Sequence, residues 1–375
     1  MNKHNSLNVF IDDLKVGTLA KTNDYRIAFE YDPVWLEKGF SISPFSLPLR
    51  KEVFIPKKYE TFEGLFGVFS DSLPDGWGRL LVDRLLLQNK MDPSQIESLD
   101  RLSIVGQSGM GTLTYRPEES FTFSQSKLSL DQIADECEKI FESHPSKNLD
   151  EIFHMGGSSG GARPKIFYPI DGEEWIVKFP CSIDSKNIGV QEYDYALCAK
   201  ECGIEMAEVK LLPSLKNTGY FATRRFDRQG TKRIHMISVS GLLESSHRLP
   251  NLDYNILMQL TLKLCNDYCE VEKLFRLMCF NVFAHNRDDH SKNFSFLFDK
   301  GLWKLSPAYD LTFSSSIGGE HATTIDGNGR DPSVEDLLSV ARNIKFDLKR
   351  SQQIIRQTRE AVYSMLGKYL KETYK

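Results

Sequence analysis

Two stretches near the start of the chain repeat hydrophobic residues with the period of a β-strand. Residues 7–11 place Leu, Val and Ile at every second position, and residues 27–31 do the same with Ile, Phe and Tyr. Side chains of a strand point alternately to its two faces, so this spacing predicts strands with one buried face. The first hundred or so residues are therefore predicted to be rich in strands.

Later stretches repeat apolar residues with the period of an α-helix. The leucines of 80–86 suit one buried helix face. Ser129 and Gln132 have the spacing of a capping box, and the apolar residues of 130–141 follow on one face. Further helices are predicted at 190–202, at 254–284 as a pair broken near Asp267 to Cys269, and at 347–371. With strands early and helices late, the predicted fold class is α+β.

Composition narrows the class of protein. The 375 residues, 41% of them hydrophobic, can bury a large core, and the length favours two or three domains. A net charge of −4 gives no electrostatic reason to bind nucleic acid, so any DNA contact is expected to go through a partner. No window approaches the ~18 apolar residues of a membrane helix, and a cytoplasmic protein is expected.

The cysteines indicate a reducing compartment. There are seven, with no Cys-x-x-Cys pair, which argues against a disulfide framework or a structural zinc site. Cys198, Cys202, Cys265 and Cys269 stand four apart in pairs inside stretches predicted to be helical. We interpret them as small core residues and not as ligands.

The stretch 285–293, His-Asn-Arg-Asp-Asp-His-Ser-Lys-Asn, carries the clearest chemical signal. Asp288 is followed five positions later by Asn293, which is the spacing of a protein-kinase catalytic loop, where the Asp accepts a hydroxyl proton and the Asn holds magnesium. Asp310, after two short apolar stretches, offers the second carboxylate that a magnesium site needs. The alternative interpretation of Asp288 and Asn293 is that they belong to a turn rich in Asx residues.

Other kinase elements precede this stretch in the expected order. Four glycines and two serines in 156–161 form a loop whose backbone N–H groups can cradle phosphate. Lys178 follows in a short apolar strand, and Glu192 begins a helix and is a candidate ion-pair partner for it. Each of these elements has an alternative role that is only structural. The loop could be a tight turn, Lys178 could point outward from an edge strand, and Glu192 could cap a helix dipole.

Two other chemistries compete with phosphoryl transfer. Gly-Gly-Ser-Ser-Gly at 156–160 also satisfies the nucleophile elbow of a serine hydrolase, with Ser158 as nucleophile, although 149–154 is a poor strand to precede it. A metal-dependent phosphohydrolase could use a ligand cluster of His285, Asp288, Asp289 and His290. That second alternative leaves the glycine-rich loop, Lys178 and Asp310 unexplained.

Over nearly its whole length the chain resembles the HipA family of serine/threonine protein kinases, the toxins of bacterial toxin–antitoxin pairs. The resemblance rests on segments 29–36 and 73–78 near the start, and on a second set that matches the family's kinase core: 161–165, 176–180, 225–228, 288–293 and Tyr309-Asp310. It implies a two-lobed kinase-like core with a small β-rich N-terminal subdomain. The implied parts are the subdomain at 1–115, an N-lobe at 128–236 and a helical C-lobe at 237–375. Between the first two, residues 116–126 are polar and lack helical periodicity, which predicts a linker.

The resemblance also implies roles for single residues. Asp288 would be the catalytic base, and Asn293 and Asp310 would hold Mg²⁺. Ser158 would be the serine that the kinase phosphorylates on itself, with Ser159 beside it as a second candidate. The implied ATP-binding residues are Gly157, Ser158, Ser159, Gly160, Gly161, Lys178, Arg224, Arg225, Phe226 and Lys292, with 224–226 as the hinge that holds adenine through its backbone. Arg224 stands where the family usually has Glu.

The biological role implied is that of a toxin that inhibits growth by phosphorylating a translation component, such as an aminoacyl-tRNA synthetase. A HipB-like DNA-binding antitoxin would restrain it, so that DNA is reached only through this partner. The alternative from another class is a catalytically weak ATP-binding co-repressor in an antitoxin–DNA complex.

Overall fold

The computed structural model describes residues 3–119, 121, 128–248, 250–315 and 317–370. Within them the chain forms two compact units. The first consists of Met1–Gly189 with Leu211–Ser245, and the second of Val190–Lys210 with Ser246–Lys375. The predicted linker at 116–126 lies mostly outside the described residues, and the predicted boundaries at 115, 128 and 236 stay predictions.

Helices occur in both units of the described chain. In chain order they are α1 (Pro33–Lys38), α2 (Gly67–Ser70), α3 (Gly76–Gln88), α4 (Ser98–Val105), α5 (Leu130–Phe141), α6 (Leu149–Gly156), α7 (Ile188–Glu201), α8 (Val239–Leu242), α9 (Tyr254–Cys265), α10 (Tyr268–Phe283), α11 (Val334–Asn343) and α12 (Leu348–Leu370).

The strands are short and concentrated before residue 240. In chain order they are β1 (Ser6–Ile11), β2 (Leu14–Lys21), β3 (Ile27–Tyr31), β4 (Val53–Phe54), β5 (Leu113–Arg116), β6 (Lys165–Ile170), β7 (Glu173–Lys178), β8 (Val209–Leu212), β9 (Tyr220–Arg224), β10 (Arg228–Gln229), β11 (Lys232–Arg233), β12 (His235–Ser238), β13 (Leu252–Asp253), β14 (Ser295–Asp299), β15 (Leu302–Leu305) and β16 (Thr323–Thr324).

The first unit begins with an antiparallel sheet of order β4-β3-β2-β1-β5. Leu7 and Val9 of β1 are buried, as are Ile27, Phe29 and Tyr31 of β3. The alternation in the sequence therefore reflects one face of a sheet packed on a core, and the strands predicted at 7–11 and 27–31 are confirmed.

A second sheet of the first unit has the order β6-β7-β9-β8. Along the β6–β7 hairpin, Ile166 lies opposite Val177, and both are fully buried. They pack in a core with Trp77 of α3, Ile152 of α6 and apolar side chains of α5. The core therefore covers one face of this hairpin, and the side chains at the alternate positions lie on the opposite face.

The second unit is mainly helical. Asp253 and Asp267 cap α9 and α10, each carboxylate accepting a backbone N–H of the first turn. Between the two helices Asn266 adopts a left-handed conformation, with φ of 51°, which ends the first helix. The predicted break near Asp267 is therefore confirmed, and the β14–β15 hairpin follows α10.

Other predictions from the sequence can be compared with these elements. The capping box of Ser129 and Gln132 is present, and the helices predicted at 190–202 and 347–371 correspond to α7 and α12. The interpretation of the cysteines as core residues holds for Cys198 and Cys202 but is wrong for Cys269, which is exposed at the first turn of α10. Among the described residues, no helix is long and apolar enough to cross a membrane.

Candidate active site

The glycine-rich loop (156–161) leaves the end of α6 in the first unit. The N–H groups of Gly157, Ser159 and Gly161 are engaged inside the protein, the first two by main-chain carbonyls at 2.7 and 3.0 Å and the third by a carboxylate. Those of Ser158 and Gly160 donate no hydrogen bond to any described residue. The N–H groups of Ser158 and Gly160 are therefore the ones in this loop that can bind an anion.

The two serines of the loop differ in their surroundings. Ser158 Oγ donates to the carbonyl oxygen of Ser108 at 2.9 Å, and Ser158 lines a cavity of about 210 Å³. Ser159 Oγ donates to the carbonyl oxygen of Gly156 at 2.6 Å. Because a helix and not a buried strand leads into the loop, the serine-hydrolase elbow is the wrong interpretation of this segment.

Two lysines stand opposite each other where the β6–β7 hairpin meets the loop. Lys165 pairs with Lys178 across the two strands, so their side chains share the face that does not carry Ile166 and Val177. Lys165 is only 8% exposed, and its ammonium group donates to the Gly160 carbonyl oxygen at 2.6 Å. The Lys178 ammonium lies 5.7 Å from the ring centre of Phe221. Two positively charged side chains therefore share this face of the sheet.

The strand that carries Lys178 is flanked by β6 and β9. The alternative of an edge-strand lysine is therefore wrong. Glu192 is buried on α7, deeper than a residue that only caps a helix dipole needs to be. Its predicted ion-pair role stays a prediction.

The predicted hinge, residues 224–226, follows β9. The backbone N–H of Arg225 donates to the carbonyl oxygen of Glu174 at 2.9 Å, and its guanidinium binds Asp227 at 3.0 and 2.8 Å. Burial alone would raise the pKa of Asp227, but Arg225 and Arg228 hold it below its usual value. The Arg225 side chain is thus structural, whereas Arg224 is exposed.

In the second unit, the catalytic segment (288–293) presents two adjacent aspartates in opposite environments. The Asp288 side chain is 59% exposed, with His290 Nε2 3.9 Å from one carboxylate oxygen. The Asn293 side-chain amide nitrogen donates to the main-chain carbonyl oxygen of Asp288 at 2.7 Å. This bond fixes the amide so that its oxygen remains as an acceptor or ligand.

Asp289, in contrast, is fully buried and hydrogen-bonded. Its carboxylate accepts from the Tyr254 hydroxyl at 3.1 Å, from the Thr323 backbone N–H at 3.2 Å, and lies 3.0 Å from His321 Nδ1. Burial, and then the charge of Asp289, raise the pKa of Tyr254 well above its usual value. Asp289 therefore anchors the catalytic segment in the core of the second unit.

Asp310 belongs to the second unit and follows Tyr309, whose side chain contacts the catalytic segment. Its φ is 56°, a left-handed conformation that Asp tolerates better than most residues. The hydroxyl of its neighbour Tyr309 donates to the Lys292 carbonyl oxygen at 2.6 Å and lies 2.6 Å from Ser295 Oγ. Tyr309 thus ties the backbone next to Asp310 to the residue that precedes Asn293.

The phosphohydrolase alternative needs a cluster of metal ligands at 285–290. Throughout the part of the chain that the structure describes, no group of three or more His, Cys, Asp or Glu is placed to hold a metal ion. Asp289 is engaged in the core, and the His285 ring stacks on Phe313. Burial, and then the charge of Arg287, lower the pKa of His285. The predicted four-residue cluster is not formed.

Sequence reasoning missed several supporting residues. Lys165 was only part of a matching segment, yet it lies under the glycine-rich loop. Asp75 accepts the Gly161 N–H, and Asp289 and Tyr309 fix the catalytic segment. The nearest signal was the turn-rich run at 73–78, whose glycines sit at the start of a helix, where the backbone can approach a neighbour closely.

Comparison with known proteins places the chain in a family. A family profile described as "HipA-like C-terminal domain" matches residues 157–366, and one described as "HipA N-terminal domain" matches residues 7–116. The protein named "Putative kinase Y4mE" of Sinorhizobium fredii is 24% identical over 343 residues, which cover 81% of this chain and 76% of that protein.

Two solved structures are also similar. A chain of the Shewanella oneidensis MR-1 toxin–antitoxin complex of HipA, HipB and operator DNA has a TM-score of 0.71 at 18% identity, over 96% of this chain and 90% of that one. The Helicobacter pylori proinflammatory kinase CtkA has a TM-score of 0.37 at 16% identity, over 56% of this chain and 88% of that one. The first match confirms the predicted α+β, HipA-like fold, and the profiles together cover most of the sequence. The chain belongs to the HipA family.

Proposed function

We propose that this protein is an ATP- and Mg²⁺-dependent serine/threonine protein kinase. The observation that carries the proposal is the catalytic segment, in which Asp288 is exposed while Asn293 donates its amide N–H to the Asp288 carbonyl. An exposed carboxylate can accept the proton of an incoming hydroxyl, and an amide oxygen fixed beside it suits a hard cation. The order of kinase elements along the chain supports the same activity.

Residues of the second unit would perform the chemistry. Asp288 would accept the proton of the substrate hydroxyl. The oxygen of that hydroxyl forms a bond to the γ-phosphorus of ATP, while the bond between this phosphorus and the bridging oxygen breaks. The oxygens of Asn293 and Asp310 fit magnesium, which supplies neutralisation of phosphate charge when bound. Lys292 adds a positive charge for the phosphates.

Residues of the first unit would bind the nucleotide. The N–H groups of Ser158 and Gly160 and the ammonium of Lys178 receive phosphate oxygens, with Lys165 holding the loop. Adenine would be held by backbone of 224–226. Since the Arg225 N–H already donates to Glu174, that role falls on its neighbours.

We further propose that phosphorylation of the loop inactivates the kinase, and the surroundings of Ser158 support this proposal. The cavity that Ser158 lines is also lined by Glu118, Glu119 and Asp150. A phosphate on Ser158 would face these carboxylates, and like-charge repulsion would drive the loop out of place. Ser159 is the less favoured site, because it is not among the residues that line this cavity and its backbone packs against Gly78.

The biological role we propose is that of the toxin of a toxin–antitoxin module. Membership of the HipA family and the similarity to a chain from a HipA–HipB–operator complex support a HipB-like antitoxin as partner. With a net charge of −4, contact with DNA is expected through that partner alone. The proposed substrate is a translation component such as an aminoacyl-tRNA synthetase.

The test is incubation of the purified protein with Mg²⁺ and γ-labelled ATP, followed by mass mapping of phosphate. Asp288→Asn is the test variant, and Asp331→Asn, at an exposed acid outside the catalytic segment, is the matched control. We expect label on Ser158 in the parent and in Asp331→Asn, and none in Asp288→Asn. Equal labelling of all three proteins would refute the assignment of Asp288 as base.

A second assay separates the toxin from the co-repressor alternative. Growth inhibition would be measured in cells that lack the antitoxin gene, and operator repression in cells that carry it, each with either the parent or Asp288→Asn. Loss of toxicity in the variant is expected for the kinase. Full toxicity of Asp288→Asn would exclude phosphotransfer as its cause and favour a binding role.

A further inference from the structure

The carboxylate of Asp75 makes an unusual contact. Asp75 is the residue before α3, a position where Asp normally accepts an N–H of the helix's own first turn. Within the described chain its carboxylate makes no such capping bond, and it accepts the backbone N–H of Gly161 instead. The carboxylate at this capping position therefore binds the glycine-rich loop, 86 residues later in the chain.

The turn that contains Asp75 also contacts the carbonyl group of Gly161. The backbone N–H of Trp77 donates to the Gly161 carbonyl oxygen at 2.9 Å, and the Trp77 indole N–H donates to the Lys165 carbonyl oxygen at 3.0 Å. Trp77 is 1% exposed and belongs to the core beneath the β6–β7 hairpin. The loop is therefore attached to a rigid support.

The glycines of this turn allow the close approach. A side chain at Gly76, whose φ is 43°, would collide with the Gly161 carbonyl oxygen, and one at Gly78 would collide with that of Ser159. The backbone of α3 thus lies directly against the loop, and any side chain there would push the loop away.

We propose that Asp75 is a positioning residue for phosphate binding, an inference that rests on the proposed kinase function. By holding the Gly161 N–H, Asp75 fixes the alternation in which the N–H groups of Ser158 and Gly160 are left for phosphate. Without it, the loop would lose a charge-assisted hydrogen bond and sample other conformations. The residue touches no phosphate itself and acts through the loop.

The decisive experiment compares the binding of ATP with that of adenosine, which lacks phosphates. For Asp75→Ala we expect the Kd of ATP to rise roughly tenfold, as loss of a charge-assisted hydrogen bond predicts, with the Kd of adenosine unchanged. Asp75→Asn keeps an oxygen acceptor and should fall between. Asp32→Ala removes a true helix cap in the same unit and should leave both constants unchanged.

Amide hydrogen exchange supplies a readout that does not depend on ATP. Peptides covering 156–161 should exchange at least several-fold faster in Asp75→Ala than in the parent or Asp32→Ala. If the parent fails to bind ATP, the kinase proposal fails, while exchange still decides whether Asp75 holds the loop. Unchanged exchange in Asp75→Ala, or an equal loss of ATP and adenosine binding, overturns the inference.

A second pair of variants guards against a misfolded Asp75→Ala. Gly78→Ala leaves the carboxylate intact but forces the Ser159 carbonyl to move, whereas a methyl group at Gly367 of α12 meets nothing within 4 Å. We expect Gly78→Ala to raise the Kd of ATP and to leave the Kd of adenosine unchanged. Gly367→Ala should leave both constants unchanged. Parent-like ATP binding by Gly78→Ala would show that the support does not set the loop.

Discussion

The glycine-rich loop and the catalytic segment are both short polar stretches, but different kinds of partner hold them in place. Gly161 is held by Asp75, 86 residues earlier in the chain. Asn293 is held by the carbonyl of Asp288, five residues away, and Asp289 by partners within 35 residues. A contact between residues five positions apart can be recognised from local spacing, whereas contacts made over 32 to 86 positions cannot.

The two regions also differ in where their charges lie. The catalytic segment divides two neighbouring aspartates between solvent and core, so one is available for chemistry while the other carries structure. The glycine-rich loop instead contacts the ammonium group of Lys165, which pairs with Lys178 across the sheet, and the carboxylate of Asp75. Substitutions in the first region should separate activity from stability cleanly, and those in the second should alter ligand affinity.

The largest effect is expected at Asp310. Replacing it by Asn removes the anionic oxygen proposed for Mg²⁺ but keeps a side chain that tolerates φ of 56°. Phosphotransfer should fall by roughly a thousandfold or more, with no change in melting temperature. The assay is γ-labelled ATP turnover beside Asp171→Asn, a left-handed Asp in the exposed β6–β7 turn, which should stay active. An active Asp310→Asn would remove Asp310 from the site.

Asp289 should show the reverse pattern. Asp289→Ala leaves Tyr254, His321 and the Thr323 N–H buried without their shared acceptor. Breaking such a buried network costs about 3–5 kcal/mol of unfolding free energy, whereas exposed Asp288→Asn should cost under ~0.5 kcal/mol. Urea unfolding of the two variants measures the difference. Similar stabilities would contradict the division of roles between adjacent aspartates.

These two sites show which contacts of the candidate site are visible in the sequence. The five-residue spacing of Asp288 and Asn293 allows the bond between the Asn293 side chain and the Asp288 carbonyl, so it is present in the sequence as a local pattern. The burial of Asp289 depends on His321 and Tyr254, which no periodicity links to it. The same holds for Asp75, whose carboxylate would be expected to cap its own helix on local rules.

The fold divides in the same way. Alternation over 7–11 and 27–31 predicted strands because one face is buried, and the predicted break near Asp267 coincides with the capping position that Asp267 occupies. The hydrophobic pattern does not predict which residues pair across two strands, such as Lys165 opposite Lys178. Cys269 was misjudged because helical spacing alone does not say which face is buried.

Acid should weaken the first unit through His235. Burial lowers the pKa of His235 to about 4, and its ring contacts the Ile42 carbonyl oxygen at 2.8 Å. The unfolded chain binds a proton near pH 6.5 and the folded chain does not, so this contribution is complete above pH 6.5 and is lost as pH falls towards 4. The loss is about 3 kcal/mol.

The matched measurement is unfolding free energy against pH for the parent and His235→Gln. Glu244, whose pKa burial raises to about 7, acts in the opposite direction, losing stability as pH rises from 4.5 to 7. It is present in both proteins, so the difference between them isolates His235. Parallel curves between pH 4 and 6.5 would show that His235 does not titrate in this range.

The smallest effect is expected at Lys165, and it tests the loop side of the comparison most directly. Lys165→Met keeps the apolar stem but removes the ammonium that holds the Gly160 carbonyl and faces Lys178. The Kd of ATP should rise about tenfold, or ~1.4 kcal/mol, because the Gly160 carbonyl loses the ammonium group that holds this part of the loop. Lys147→Met, at an exposed lysine before α6, is the control. A large fall in melting temperature with unchanged ATP affinity would mean that Lys165 serves the fold and not the nucleotide.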